Sequence, residues 1–265
     1  MDIGAIIGSL FGVAMILVGY FIEGGAMGAF AQPSPFFIVI GGTIGCTILS
    51  FPLSELAKLP AAFKTIYTQK KYNEVDIINQ LAELSEKARK DGLLSLEQDA
   101  QTNENDLIRK GLALVVDGIE TEVIKDILER ESELHESVHE SGAKIFEAMG
   151  GYSPTMGVLG TVMGMIIILG SMEDPGELGH KIAVAFIATM LGVGLANLLY
   201  LPMGGRIKSK AAREKMISDL IIEGLLSIQA GENPRIIKEK LNLSLLEKMS
   251  KKGGSKDNAK AEAEG

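Results

Sequence analysis

Thr161 and Thr189 are the sharpest polar residues in stretches that otherwise have almost no polarity. Thr161 lies in the apolar run Tyr152–Met172 and Thr189 in the run Ile182–Met203. At about 1.5 Å per helical residue, Thr161 is about 13 Å from the Tyr152 edge and Thr189 about 10 Å from the Ile182 edge. If the two runs cross a hydrocarbon layer of about 30 Å in opposite directions, the hydroxyls fall within roughly a turn of the same depth. Two such hydroxyls could replace part of a cation's water shell and line an ion path. A threonine in a helix can equally bond its own carbonyl one turn back, and the residues alone leave both readings open. Thr43 and Thr47 have no comparable counterpart and read as packing residues.

Other residues carry weaker signals. Pro154 lies near the start of the third apolar run and Pro202 at the end of the fourth. A proline inside a helix removes one hydrogen bond, so Pro154 predicts a kink or hinge, while Pro202 can simply mark a helix end. The stretch Lys87-Ala-Arg89-Lys90-Asp91-Gly92-Leu-Leu-Ser-Leu-Glu97 joins a basic cluster, a glycine stop and an acid. Read as physics alone, it is a solvated helix end with cations near the negative helix terminus. His135 and His139 sit four apart with Glu131 nearby, but no third ligand of suitable spacing makes a metal site, and they read as exposed. There is no phosphate-binding glycine loop and no nucleophile elbow, so nothing suggests an ATPase, a hydrolase or another enzyme, and no cofactor is implied.

The elements that hold these residues follow from where the charges are absent. Ile3–Ile22, Pro35–Phe51, Tyr152–Met172 and Ile182–Met203 contain no Asp, Glu, Lys, Arg or His. Each is near the length of about 17–25 residues that crosses a bilayer as a helix. Of the 26 Lys and Arg residues, 12 lie in Leu53–Gly150, 13 in Gly204–Gly265, and Lys181 alone opens the fourth run. The connectors Glu23–Ser34 and Glu173–His180 have none. The positive-inside rule then puts the two charged segments and both termini in the cytoplasm. Met1–Asp2 leads straight into the first run without a basic n-region, so no cleavable signal is expected. Cys46 is the only cysteine, which excludes an intrachain disulfide. The net charge of −8 argues against nucleic-acid binding. Glycine strips such as Gly4, Gly8 and Gly12, or Gly157, Gly160 and Gly164, predict closely packed spans rather than free-standing anchors.

The chain therefore reads as an all-α polytopic membrane protein. Residues 1–52 hold spans one and two, 53–150 a helical cytoplasmic domain, and 151–204 spans three and four. Residues 205–249 hold C-terminal cytoplasmic helices, and 250–265 a disordered tail. Within the cytoplasmic domain, Val75–Asp91 predicts a helix that Gly92 stops in the manner of an αL cap. Asn103–Gly118 predicts another. Glu120–Met149 predicts an acidic helix running from solvent into the third span, with sparse apolar positions Val123, Ile127, Leu134 and Val138. Ala211–Ile228 and Arg235–Met249 flank a turn at Gly231–Pro234.

Four patterns carry a family resemblance: Ala88-Arg89-Lys90-Asp91-Gly92-Leu-Leu-Ser-Leu-Glu97, Tyr152-Ser-Pro154-Thr-Met-Gly157-Val-Leu-Gly160-Thr161-Val-Met-Gly164, Met172-Glu-Asp-Pro175-Gly-Glu-Leu-Gly179, and Ala183-Val-Ala-Phe-Ile-Ala-Thr189-Met-Leu-Gly192. Together the chain resembles the A subunit of the bacterial flagellar stator, the MotA/PomA family, from the first span to about Leu246. The resemblance implies a bacterial inner-membrane ring of five A subunits around two single-span B subunits. Each B subunit brings an intramembrane aspartate, which explains why this chain has no acid in its spans. It implies that H+ or Na+ passage turns the ring against the rotor C-ring protein FliG. Carried over by position, Arg89, Lys90 and Glu97 would meet the rotor, Pro154 and Pro202 would couple ion passage to shape change, and Thr161 and Thr189 would line the ion route. Threonine at both positions leans towards sodium, although Ala188 stands where some sodium-using members have another Thr. The competing expectations are an ExbB/TolQ-like energiser of outer-membrane transport, which has three spans and lacks the Arg89–Glu97 stretch, and a non-conducting membrane scaffold.

Overall fold

The computed structural model describes residues 3–25, 32–68, 73–170 and 175–263, and among these every regular element is helical. The helices are α1 (Ile3–Ile22), α2 (Pro33–Phe36), α3 (Gly42–Ser50), α4 (Leu53–Leu56), α5 (Leu59–Tyr67), α6 (Glu74–Asp91), α7 (Glu97–Thr102), α8 (Asp106–Val116), α9 (Thr121–Gly170), α10 (Pro175–Leu195), α11 (Leu201–Gln229) and α12 (Pro234–Ala263). A π-helical turn, Phe37–Gly41, joins α2 to α3, and another, Ala196–Tyr200, joins α10 to α11. Among the described residues, four helical stretches are long and apolar enough to cross a membrane, lying within Gly4–Ile22, Pro33–Ser50, Thr121–Gly170 and Lys181–Gln229. These are the four spans expected from the sequence.

The chain divides into two compact units. One comprises Met1–Gln69 and Val138–Lys210, the other Lys70–Ser137 and Ala211–Gly265. Within the first unit, α5 and residues near Phe146 pack with residues of the spans. Ala62 and Ile66 of α5 are buried with Ala143, Phe146 and Ile207. The ammonium of Lys210 donates to the carbonyls of Thr65, Ile66 and Thr68 at 2.8–2.9 Å, capping the α5 C-terminus. Charge-assisted bonds of this kind satisfy carbonyls that the helix itself leaves open. The spans bare their apolar side chains: Leu10 and Phe11 of α1 are both more than 60% exposed. Such a surface fits lipid and neighbouring membrane helices rather than water.

Pro154 does not interrupt α9, which runs unbroken from Thr121 to Gly170. The proline removes one backbone donor, so the Gly150 carbonyl loses its helical partner. The expected direct run of the acidic helix into the third span is present. Pro202 likewise does not end the fourth span. The chain winds wider just before it, so that the N–H of Leu201 reaches the carbonyl of Ala196, five residues back. A π-turn absorbs the missing proline N–H and relieves its ring against the preceding turn. The fourth span thus continues into α11, where the sequence suggested a new helix at Ala211.

The second unit is a conventional apolar core. Leu81, Leu96, Ile108, Leu112, Ile124, Leu128, Leu220, Ile221, Leu225, Ile228, Ile237 and Leu241 are all fully buried in it. Asn73 and Asn105 cap α6 and α8 by accepting N–H bonds from Val75 and from Leu107 and Ile108. Gly111 lets α8 approach closely: an added Cβ would stand 2.3 Å from Leu225 Cδ1. On the acidic part of α9, the core side is Ile124 and Leu128, while Val123, Leu134 and Val138 are exposed. Gly92 has φ 82° and ψ 164°, so α6 ends by turning into extended backbone open only to glycine, not by an αL cap. α12 runs from Pro234 to Ala263.

Candidate functional site

The third and fourth spans cross with their backbones in contact, and small residues make this possible. A Cβ added to Gly157 would meet the Ala188 carbonyl oxygen at 2.8 Å and Thr189 Cα at 3.1 Å. One added to Gly192 would meet the Ser153 carbonyl oxygen at 2.5 Å and Gly157 Cα at 3.0 Å. Gly160 faces Ala188 and Gly164 faces Ala185 in the same way, at 2.8 and 2.7 Å. Tight approach of this kind is how helices associate where burial from water cannot drive them together.

The crossing brings the two threonines together. The hydroxyls of Thr161 and Thr189 are hydrogen-bonded to each other. Thr161 Oγ1 also stands 3.0 Å from the Ala185 carbonyl and 3.2 Å from the Gly157 carbonyl, and Thr189 Oγ1 is 3.4 Å from the Gly157 carbonyl. Both side chains are half-buried. Thr161 thus reaches back to its own helix and also across to α10. Two hydroxyls supply only two protons for these four contacts. The two hydroxyls and two carbonyls form a neutral cluster with more lone pairs than hydroxyl hydrogens.

One side chain here was not singled out from the sequence. Ser153 is fully buried, and its hydroxyl donates to the Gly192 carbonyl at 2.9 Å. Residues 153, 157 and 161 repeat at four-residue spacing, so Ser153 shares the helix face of Gly157 and Thr161. That spacing was the available signal. Asn197, also inside the fourth span, donates its side-chain amide to the Val193 carbonyl at 3.0 Å. Thr43 and Thr47 are buried, as packing residues would be, and Thr47 bonds the Thr43 carbonyl at 2.7 Å.

The two proline segments adjoin. Gly150, the residue whose carbonyl loses its partner at Pro154, packs on Leu201 beside Pro202, with a built Cβ only 2.5 Å from Leu201 Cδ2. Arg89, Lys90 and Glu97 lie in the other unit. All three are exposed, at the end of α6 and the start of α7. Lys90 pairs with Glu86 at 2.6 Å, and Lys87 pairs with Asp99 at 2.7 Å across the Gly92 turn. The hydrogen bond between Lys90 and Glu86 raises the lysine pKa and lowers that of the carboxyl. Burial pushes the Glu74 carboxyl up, but its own backbone N–H and Arg213, at 2.8 Å, together hold it below the ordinary value.

Among the described residues, four membrane-length helices and a large charged helical unit define a polytopic membrane protein. Residues 6–92 match the family model "Motility protein A N-terminal", and residues 99–220 match that of the MotA/TolQ/ExbB proton channel family. Motility protein A of Bacillus subtilis is 36% identical over 246 residues, covering 92% of this chain and 91% of its own. The structure of C. jejuni MotAB superposes with a TM-score of 0.87 at 30% identity, covering 92% of this chain and 96% of that one. The flagellar MotAB stator complex from Bacillus subtilis gives 0.84 at 36% identity, covering 89% and 93%. The chain belongs to the MotA/TolQ/ExbB proton channel family, in its motility protein A branch, and is a stator subunit of the flagellar motor. The ExbB/TolQ-like and scaffold alternatives give way to this assignment.

Proposed function

We propose that this chain surrounds a single-span B subunit and conducts ions beside that subunit's intramembrane carboxylate, in a complex of five A and two B chains. The related solved structures are of MotAB complexes, which supports a B-type partner. Charge asymmetry along the chain favours residence in the bacterial inner membrane with both termini in the cytoplasm. Thr161 and Thr189 line the ion route, Pro154 and Pro202 couple passage to movement, and Arg89, Lys90 and Glu97 face the rotor protein FliG. Lipid covers the exposed apolar spans.

The single observation behind the ion route is the four-oxygen cluster of Thr161, Thr189, Ala185 and Gly157. It has no charge of its own, so it needs a carboxylate from another chain to hold a cation. One charge crossing 100 mV delivers about 2.3 kcal/mol. A site of neutral oxygens releases its ion within that limit better than a site of added charges. Hydroxyl and carbonyl oxygens favour sodium as the ion, with the proton as the alternative. The test is motor speed against external sodium at fixed pH and fixed membrane voltage. Saturating dependence on sodium supports the reading. Speed that ignores sodium and follows pH assigns the proton.

A further inference from the structure

We propose that α4 and α5 form a docking surface for anionic phospholipid, in which Leu53 and Phe63 enter the acyl boundary and the ammonium groups of Lys58 and Lys64 meet headgroup phosphates. This rests on the reading of the exposed spans as lipid-covered and adds to it a preference for headgroup charge. Outside the four apolar runs, the described residues of the first unit expose three large apolar side chains: Leu53 at 74%, Phe63 at 47% and Val138 at 45%. Two of the three stand on α4 and α5, directly after the second span. Lys58 and Lys64 are exposed beside them, and neither has an ion pair among the described residues. The nearby Lys144 and Lys208 are instead paired with Glu140 and Glu147.

Neighbours within the same unit fix where this surface stands. The second span ends at Ser50, Phe51 is extended, and α4 starts at Leu53. α5 then packs through Ala62 and Ile66 into a cluster with Ala5, Phe146 and Met203. Those three lie at the start of the first apolar run, just before the third and at the end of the fourth. α5 therefore stands where the spans leave the bilayer. Its mount is firm: a Cβ on Gly142 would come within 2.7 Å of Ala62 Cβ, and Lys210 caps its C-terminus. A surface already held in place loses little freedom on docking. Ala62 and Ile66 take the protein side of the helix. Each further residue turns about 100° round it, so Phe63 comes next and Lys64 after it. The Phe63 ring lies 5.3 Å from that of Tyr67.

That order, from protein to aromatic ring to ammonium, suits a membrane boundary. Aromatic rings settle at headgroup level. A lysine lays its methylene stem along apolar surface while its ammonium stays among phosphates. Apolar insertion and electrostatic attraction together bind an interfacial segment more strongly than either alone. Glu55, the one acid on α4, is half-buried, so the exposed charge of this surface is carried by the two lysines. The complementary headgroup is therefore anionic.

The chain contains no tryptophan, so Phe63→Trp places a fluorescent reporter on this surface, read in the purified A–B complex against the same complex without it. The complex is placed in vesicles of phosphatidylcholine and phosphatidylglycerol, with a bromine quencher carried first on one lipid and then on the other. The reporter should be quenched by both, and more strongly by phosphatidylglycerol at equal fraction. Lys58→Gln or Lys64→Gln is expected to lower that preference by up to about fivefold, as for one cation beside an anionic surface. Both together should remove it, and added salt should weaken it. Lys144→Gln, which removes a lysine already paired with Glu140, should leave it unchanged. Leu10→Trp, on the exposed face of α1, separates the two readings. If Leu10→Trp is quenched and Phe63→Trp is not, the docking surface is wrong and the lipid-covered spans stand. Equal quenching of Phe63→Trp by both lipids, or an equal effect of Lys144→Gln, overturns headgroup recognition here. Absence of quenching at both reporters overturns the lipid-covered reading and the proposal with it.

Discussion

Gly192→Ala should damage the motor out of proportion to the single methyl it adds. That methyl would lie 2.5 Å from the Ser153 carbonyl oxygen, 3.0 Å from Gly157 Cα and 3.2 Å from Gly157 N. Ordinary contacts start near 3.4 Å, so the two spans must separate by roughly an ångström or distort. Backbone atoms cannot rotate aside as a flexible side chain can. Overpacking of this kind costs about 1–3 kcal/mol, a factor of roughly five to 150 in any equilibrium it opposes. The separation would also loosen the Ser153–Gly192 hydrogen bond and the Thr161–Thr189 pair, because both bridge the same crossing. The control is on the same helix: a Cβ at Gly194 meets nothing within 4 Å. Both variants should be measured for membrane abundance, then for motor speed across a range of external sodium at fixed pH and voltage. Gly192→Ala should lower maximal speed and raise the sodium concentration for half-maximal speed, while Gly194→Ala should track the parent. Equal behaviour of the two would refute the idea that close approach of the third and fourth spans sets the ion site.

Further outcomes follow from the same geometry. Thr161→Ala removes one hydroxyl from the four-oxygen cluster and should weaken sodium dependence more than assembly. Thr161→Asp should be worse, since a charge at mid-membrane costs about 2.5–3.5 kcal/mol on insertion scales; normal rotation in both Thr161→Ala and Thr189→Ala would mark the threonines as packing residues. Pro154→Ala restores a donor for the Gly150 carbonyl and should leave expression intact but lower torque at high load; unchanged stall torque would show that the proline only shapes the helix. Glu74→Gln tests an ion pair of the charged unit. Because the native carboxyl is held below its ordinary value, its stabilisation is present above that value and is lost as pH falls through the native one. Chemical unfolding of the purified protein should therefore show Glu74→Gln weaker than the parent at neutral pH, with the gap closing in acid. A gap that persists in acid would mean that Glu74 acts through packing instead.

The sequence alone determined the four spans, their charge asymmetry and the helical character of the rest. These are local quantities: a membrane helix needs only an uncharged run of sufficient length, and a helix start such as Asn105 needs only one well-placed side chain. The motifs around Arg89 and Thr161 also carried the family, because they are contiguous. Tertiary structure decided what lies between segments distant along the chain. No local pattern reveals that Thr161 and Thr189, 28 residues apart, share a hydrogen bond, or that Ser153 is bonded to Gly192. Both follow from a crossing at which glycines on two helices meet backbone to backbone. The prolines show the limit from the other side. The sequence predicts a kink or hinge at Pro154 and allows a helix end at Pro202; the structure keeps α9 helical through Pro154 and carries the chain past Pro202 on a wider turn. Likewise, periodicity named Val123 and Leu134 on the acidic helix, but the fold buries Ile124 and Leu128, because a helix's buried face is set by its neighbours.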